Sequence, residues 1–286
     1  MIYVLISIIC SVTVGVLFKL ASRYRINIQQ AIAWNYLTAI VLALLFFKPD
    51  VQSLTFPDTP IYYILGILLP TIFWILSKSV KDIGIARTDI AQRLSLIIPL
   101  LAAYLIFQES FSALKVAGLV VAFVSVVLML INKAHGKGNS RIIFPILVFI
   151  GFGTVDILFK QIAADVSRPY TTILLLVFCI AFPIALAAAF YQKFTYGRSF
   201  KLVNLGYGML LGMFNFSNIY FYLKAHRALA SQPSVVFASM NIGVVVMGTI
   251  LGYFLFREKL SKLNFAGVAL AVLAIVMITI AQYYGK

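Results

Sequence analysis

Two acid–base pairs stand inside otherwise apolar sequence: Asp89 with Arg93, and Asp156 with Lys160. Both are spaced i,i+4 with the acid first, the order and spacing that favour an interaction on one helix face. Lys19 stands in a third apolar run. A charge at the bilayer centre costs roughly 2.5–3.5 kcal/mol on insertion scales, so such groups are paired or line a cavity. One reading makes these residues intrahelical ion pairs that ease insertion, with Lys19, Arg93 and Lys160 near enough to helix ends to snorkel. The other makes them the walls of an aqueous cavity. Three cations against two acids would then leave a positive interior, suited to a carboxylate, phosphate or sulfonate, or to a zwitterion. Asp156 begins too deep in its run to snorkel, roughly 20 Å from the start at about 1.5 Å per residue. With Asp89 it is the candidate for ion coupling, for instance of a proton. Burial and the nearby lysine act on its proton affinity in opposite senses.

Neutral candidates for substrate hydrogen bonding are Trp34, Asn35 and Tyr36, then Gln92, then Asn215, Asn218 and Tyr220 (with Tyr222 beside them), and Asn241. The bland role for such amides is an interhelical hydrogen bond, worth about 0.6 kcal/mol on average. Enzymatic constellations are missing from the sequence. The acids read Arg-Thr-Asp at Asp89 and Thr-Val-Asp at Asp156, unlike the Tyr-Asp and Gly-x-Gly-Asp contexts of intramembrane aspartyl proteases. His135 and His226 lie in or beside expected loops, and the spacing of His and Cys offers no zinc set. There is no Gly-x4-Gly-Lys-Ser/Thr loop for ATP. Neither a cofactor nor a metal is expected.

The elements that must hold these residues follow from composition. The 286 residues are 63% hydrophobic and 11% charged, with a mean hydropathy of +1.03. A soluble domain carries about 25% charged residues, so the chain is read as an integral membrane protein. Runs long enough to span, about 20 residues each, lie near 2–21, 28–47, 61–80, 85–107, 112–132, 142–163, 170–191, 204–224, 234–256 and 263–283. They do not alternate in polarity as transmembrane strands do. The fold class expected is an all-α membrane protein of ten transmembrane helices.

The chain repeats internally. Ile106-Phe107-Gln108-Glu109 with Ala117-Gly118 matches Leu255-Phe256-Arg257-Glu258 with Ala266-Gly267 at an offset of 149, and Leu17-Phe18-Lys19 matches Leu158-Phe159-Lys160 at 141. Gln92 and Asn241 are also 149 apart. The expected division is a first five-helix repeat at 1–132, a basic linker at 133–141 and a second repeat at 142–286. Five is odd, so the second copy enters the membrane from the opposite side, giving an inverted 5+5 repeat. Glu109 and Glu258 are read as pins for the helix that follows each. Gly248-x3-Gly252 is read as a site of close helix approach, and Pro70, Pro99, Pro145 and Pro183 as kinks.

Ten short-looped helices in two halves, each with Phe-x-Glu closing its fourth helix and Ala-Gly in its fifth, resemble the EamA-type branch of the drug/metabolite transporter superfamily. The resemblance implies export or exchange of small metabolites through a central cavity between the halves. The expected function is therefore a secondary transporter of a small polar metabolite, anionic or zwitterionic, such as an amino acid or organic acid. A lipid or lipid-headgroup flippase and a passive channel are the alternatives. The partners expected are that substrate and the lipid bilayer, with no nucleic acid; a monomer suffices, a dimer being the alternative.

The net charge of +15 reads as topology. Loops after odd-numbered helices hold fourteen basic residues and the other face six. Lys and Arg are retained in the cytoplasm, so both termini are expected outside, in a bacterial inner membrane. Many members of the resembled family carry the opposite bias.

Overall fold

A computed structural model describes residues 1–24, 26–48, 59–83, 85–130, 143–165, 169–256 and 262–284. The expected linker at 133–141 and Glu258 lie outside the described residues, and so does the side chain of Asp89. The described residues form helices and no strand. In order these are α1 (Ile2–Arg23), α2 (Ile28–Phe47), α3 (Ile61–Ile83), α4 (Ile85–Leu94), α5 (Ile97–Leu105), α6 (Ala113–Leu130), α7 (Ile143–Ala164), α8 (Tyr170–Tyr196), α9 (Leu202–Ala228), α10 (Pro233–Phe256) and α11 (Lys262–Tyr284). Nine of the ten expected spans are single helices, and the fourth is α4 and α5 in series. Among the described residues, six helices are long and apolar enough to cross a membrane by themselves. Because directions alternate, the bundle has a near face, where α1 begins, and a far face, where it ends.

The break in the fourth span has a local cause. Pro99 has no N–H to donate, so the carbonyl of Ser95 accepts instead from Ile98 N at 3.0 Å, a tighter three-residue closure. Leu96 N likewise turns to Arg93 O at 3.3 Å. The carbonyl of Gln92, left without that donor, accepts Ser95 Oγ at 2.5 Å. In the second repeat the equivalent of Pro99 is Gly248 and α10 runs unbroken.

Most helix contacts follow the inverted repeat. The corresponding helices are α1 and α7, α2 and α8, α3 and α9, α4–α5 and α10, and α6 and α11. The pair α2·α9 is mirrored by α8·α3, α1·α9 by α7·α3, and α1·α10 by α7·α4, while α2·α8 and α6·α11 are their own mirror images. The mirror reaches single atoms. A Cβ on Gly212 would lie 2.7 Å from Asn35 O and Thr38 Cβ of α2, and one on Gly66 would lie 2.7 Å from Ile180 Cβ and 3.2 Å from Val177 O of α8. Gly66 and Gly212 are 146 apart, and Asn35/Val177 and Thr38/Ile180 are both 142 apart. Gly208 adds a second close approach on α9, so the working Gly-x3-Gly is 208/212. At Gly248 of the expected motif a Cβ would meet nothing within 4 Å.

Two hydrophobic clusters hold the bundle. The larger joins helices α1–α3 and α7–α10, with Tyr36, Phe178 and Phe237 wholly buried in it. The smaller joins α6, α10 and α11 around Ala122, Ile242 and Ile278. In the smaller one Ser125 Oγ donates to Gly267 O at 2.7 Å, tying the two repeats at their fifth helices.

Candidate functional site

Six helices, three from each repeat, surround a cavity of about 140 Å³ in the middle of the bundle. They are α1, α3 and α4 from the first half and their equivalents α7, α9 and α10 from the second. The lining obeys the same offsets as the packing. Ser11 faces its counterpart Phe152, Leu69 faces Asn215, Ile72 faces Asn218, Phe73 faces Ile219, Gln92 faces Asn241 and Ser95 faces Val244. The cavity therefore straddles the axis that relates the repeats. Its polarity does not, because α9 presents Asn215 and Asn218 where α3 presents Leu69 and Ile72.

Among the described residues, one cation and one acid lie in this lining, Arg93 and Asp156. Each carries its charge to the other within electrostatic reach. Tyr222 Oη donates to Asp156 Oδ1 at 2.9 Å and fixes the carboxyl from α9. Ser7 Oγ donates to Asn218 Oδ1 at 2.7 Å, which ties the amide to α1. Asn241 Nδ2 donates to Phe237 O at 3.1 Å, within its own helix. Gln92, Arg93 and Ser95 all come from the break between α4 and α5, so the irregular backbone of the fourth span lies beside a polar cavity, where bilayer physics allows it.

Of the thirteen residues singled out in the sequence, six line the cavity: Gln92, Arg93, Asp156, Asn215, Asn218 and Asn241. Six do not. Trp34, Asn35 and Tyr36 belong to α2, which packs behind α9 and against α8. Trp34 meets Phe200 edge-on, Asn35 is 2% exposed, and Tyr36 lies against Phe178. Tyr220 joins an aromatic group with Phe47, Tyr170 and Phe221 beneath the Lys224 ammonium. Lys19 is outside the lining. Lys160 is 3% exposed and reaches away from Asp156: its Nζ donates to Ala230 O at 2.7 Å and lies over the Phe107 ring. The expected Asp156–Lys160 pairing gives way to Asp156–Tyr222, and the described lining holds one cation and one acid where a positive interior was expected.

Sequence reasoning passed over Ser11, Ser95, Phe152 and Phe159. The repeat offsets were the signal available, since Ser95 is three residues from Gln92 and Phe152 is the counterpart of Ser11. His226 stands beside the α9–α10 loop, as expected, but it is fully buried in the last turn of α9, between the rings of Tyr222 and Phe237, with both ring nitrogens lacking a hydrogen-bond partner among the described residues.

Between the cavity and the near face, polar contacts tie the elements of the two repeats together. Glu109, in the segment joining α5 to α6, is buried and ion-paired with Lys115. The same carboxylate crosses to the other repeat, accepting Ser234 N at 2.9 Å and Ser234 Oγ at 2.8 Å at the start of α10. It thus pins not only the following helix but one of the opposite half. Arg227 donates to Ala163 O at 3.1 Å and to Asp165 O at 3.0 Å, closing α9 on the end of α7. Tyr62 of α3 donates to Asp165 as well. The symmetry of the packing fails here: α7 and α9 approach closely, whereas α1 and α3, their counterparts, meet mainly through the Phe18–Phe73 ring stack.

A family model described as the EamA-like transporter family matches residues 1–131 and again 139–280. An uncharacterized protein of Haemophilus influenzae is 42% identical over 279 residues, 94% of each chain. A crystal structure of a protein 17% identical superposes with a TM-score of 0.69, over 97% of this chain and 98% of that one. That likeness concerns the fold.

Proposed function

The chain belongs to the EamA-like transporter family, a multi-pass membrane family, and from that premise we propose that it is a secondary transporter of a small zwitterionic metabolite of amino-acid type. The observation that carries the reading is the presence of one guanidinium and one carboxylate in the described lining of a cavity that straddles the repeat axis. Arg93 binds the substrate carboxylate, where a planar fork of donors matches two oxygens. Asp156, held by Tyr222, receives the substrate ammonium. Gln92, Asn215, Asn218 and Asn241 take the remaining polar atoms. The alternative of a bare anion fits less well, because Asp156 would face it uncompensated. A cavity of about 140 Å³ is also below the roughly 300–1,000 Å³ of sites for drug-sized ligands, which favours a substrate of few heavy atoms.

Transport proceeds by alternating access. The Glu109 and Arg227 ties are read as the closure of the near side. Exchange of conformations between the two repeats closes the far side and releases the near one. Asp156 is the group that also couples a proton, by neutralising when the substrate leaves. The far face, richer in Lys and Arg, is the cytoplasmic side of a bacterial inner membrane.

The test is a thermal-shift screen of the purified protein over amino acids, organic acids, sugar phosphates and nucleotides, since a specific binder raises apparent stability by mass action. An amino acid or close zwitterion is expected to shift Tm, and Arg93→Gln to abolish the shift. Stabilisation by nucleotides or sugar phosphates, with amino acids inert, would overturn the assignment. Counterflow in proteoliposomes then separates a carrier, which saturates, from a channel, which does not.

A further inference from the structure

A second and larger cavity, about 720 Å³, lies apart from the first, between α2, α3 and α8 in the far half of the bundle. Its existence follows from the packing. α3 and α8 are in tightest contact at Gly66 and Ile180. Beyond that contact Pro70 and Pro183 lie inside the two continuous helices, and a crevice opens toward the far face. Pro70, Ile32, Ile184 and Ala188 make the floor apolar. Trp74 and Tyr191, respectively 45% and 62% exposed, stand at its mouth, so the crevice opens outward and not into the central cavity.

The rim has different chemistry. Lys78 Nζ stands 5.4 Å from the centre of the Trp74 ring. Across the crevice Gly197, at φ +63°, ends α8 in a left-handed turn that a side chain would resist. The chain is then held where it leaves α8, as Gln30 Nε2 of α2 donates to Ser199 O at 3.1 Å. This brings Arg198 to the rim opposite Lys78. Tyr191 and Tyr196 meet edge-on at 6.4 Å beside it, and Gln192 adds a buried amide oxygen with no hydrogen-bond partner. Among the described lining residues there are two cations and no carboxylate.

We infer that this crevice is a binding site for an anionic phospholipid of the far-side leaflet. An apolar slot that opens sideways at bilayer depth accommodates an acyl chain. Lys78 and Arg198 clamp the phosphate, and the tyrosine hydroxyls and the Trp74 ring mark the interfacial level at which a headgroup lies. Basic pockets between helices at the cytoplasmic interface hold anionic headgroups for this reason. The site is independent of what the central cavity carries.

The experiment is native mass spectrometry of the full-length protein in mixed phosphatidylglycerol and phosphatidylcholine. The wild type is expected to retain phosphatidylglycerol preferentially. Lys78→Gln and Arg198→Gln should each weaken that preference roughly fivefold, as expected for loss of one basic side chain near the headgroup. Ala188→Trp, which fills the slot and leaves both cations in place, should lower retention of the acyl chain. Equal retention of the two lipids by the wild type would overturn the proposal. So would full retention by Lys78→Gln/Arg198→Gln, or a thermal shift from inorganic phosphate alone equal to that from phosphatidylglycerol, which would make the site one for free phosphate.

Discussion

At the scale of single residues, the difference between Asp156 with Lys160 and Asp156 with Tyr222 decides what the cavity can hold. Had Lys160 turned inward, two cations would face one acid. Because its ammonium is spent on Ala230 O, the described lining is left with one cation and one acid, and the proposed recognition rests on both ends of the substrate. A hydrogen bond to a charged group is worth about 1.5–3 kcal/mol, or roughly tenfold to a hundredfold in affinity. Arg93→Gln is therefore expected to weaken the Kd of the identified substrate by at least about tenfold, measured by calorimetry on purified protein. Tyr222→Phe removes one donor from a carboxyl that stays in place, so a smaller loss is expected, with the central cavity intact. Asp156→Asn strikes both roles of that carboxyl: pH-driven uptake should vanish, while counterflow exchange should persist at a raised KM, because the neutral amide still accepts from the substrate ammonium but more weakly. Unchanged pH coupling in that variant would remove Asp156 from the coupling role.

At the scale of elements, the repeat makes a quantitative prediction, because Gly66 and Gly212 each meet a side-chain Cβ at 2.7 Å and a backbone carbonyl of the opposite helix within 3.2 Å. Overpacking a fitted contact costs typically about 1–3 kcal/mol. Gly66→Val and Gly212→Val should lower Tm by similar amounts, whereas Gly248→Ala, with open space around it, should be neutral or raise stability by up to about 1 kcal/mol. Thermal unfolding of the three variants side by side checks the mirror. The count of spans and the pairing of halves were legible because a spanning helix needs a long apolar run and the offsets of 141 and 149 carry charged residues with them. Which glycines touch was not legible, since Gly208-x3-Gly212 and Gly248-x3-Gly252 have the same spacing and differ only in what stands opposite. The same limit explains Asn35 and Tyr36: polarity in an apolar run marks a helix face that meets something polar or tight, and here α2 meets α8 and α9 rather than the cavity. The broken fourth span was half legible. Pro99 announces a kink, but that Ser95 Oγ replaces the lost donor on Gln92 O requires the geometry.

At the scale of the whole molecule, the two halves share a fold and differ in state. The near side is held by a buried carboxylate that serves both repeats at once, pairing with Lys115 of its own half and with Ser234 of the other. Removing one member of a buried ion pair costs about 3–5 kcal/mol, because the remaining charge stays buried and uncompensated. Glu109→Gln should therefore release α10 from the α5–α6 segment and shift the molecule toward the near-open state. Glu109→Gln/Lys115→Met, which leaves no lone charge, should release the same tie while regaining stability. Phe159 lines the near end of the cavity and serves as the reporter. In a background without Cys10 and Cys179, the second of which is exposed, Phe159→Cys should react slowly with a membrane-impermeant maleimide. Both Glu109 variants should raise that rate several-fold. If the near face is extracellular, as the distribution of Lys and Arg implies, the increase appears in intact cells; in inverted vesicles alone, it would reverse the orientation and leave the tie standing. Equal labelling of parent and both variants, with all three monodisperse, would show that Glu109 supports the fold without controlling access.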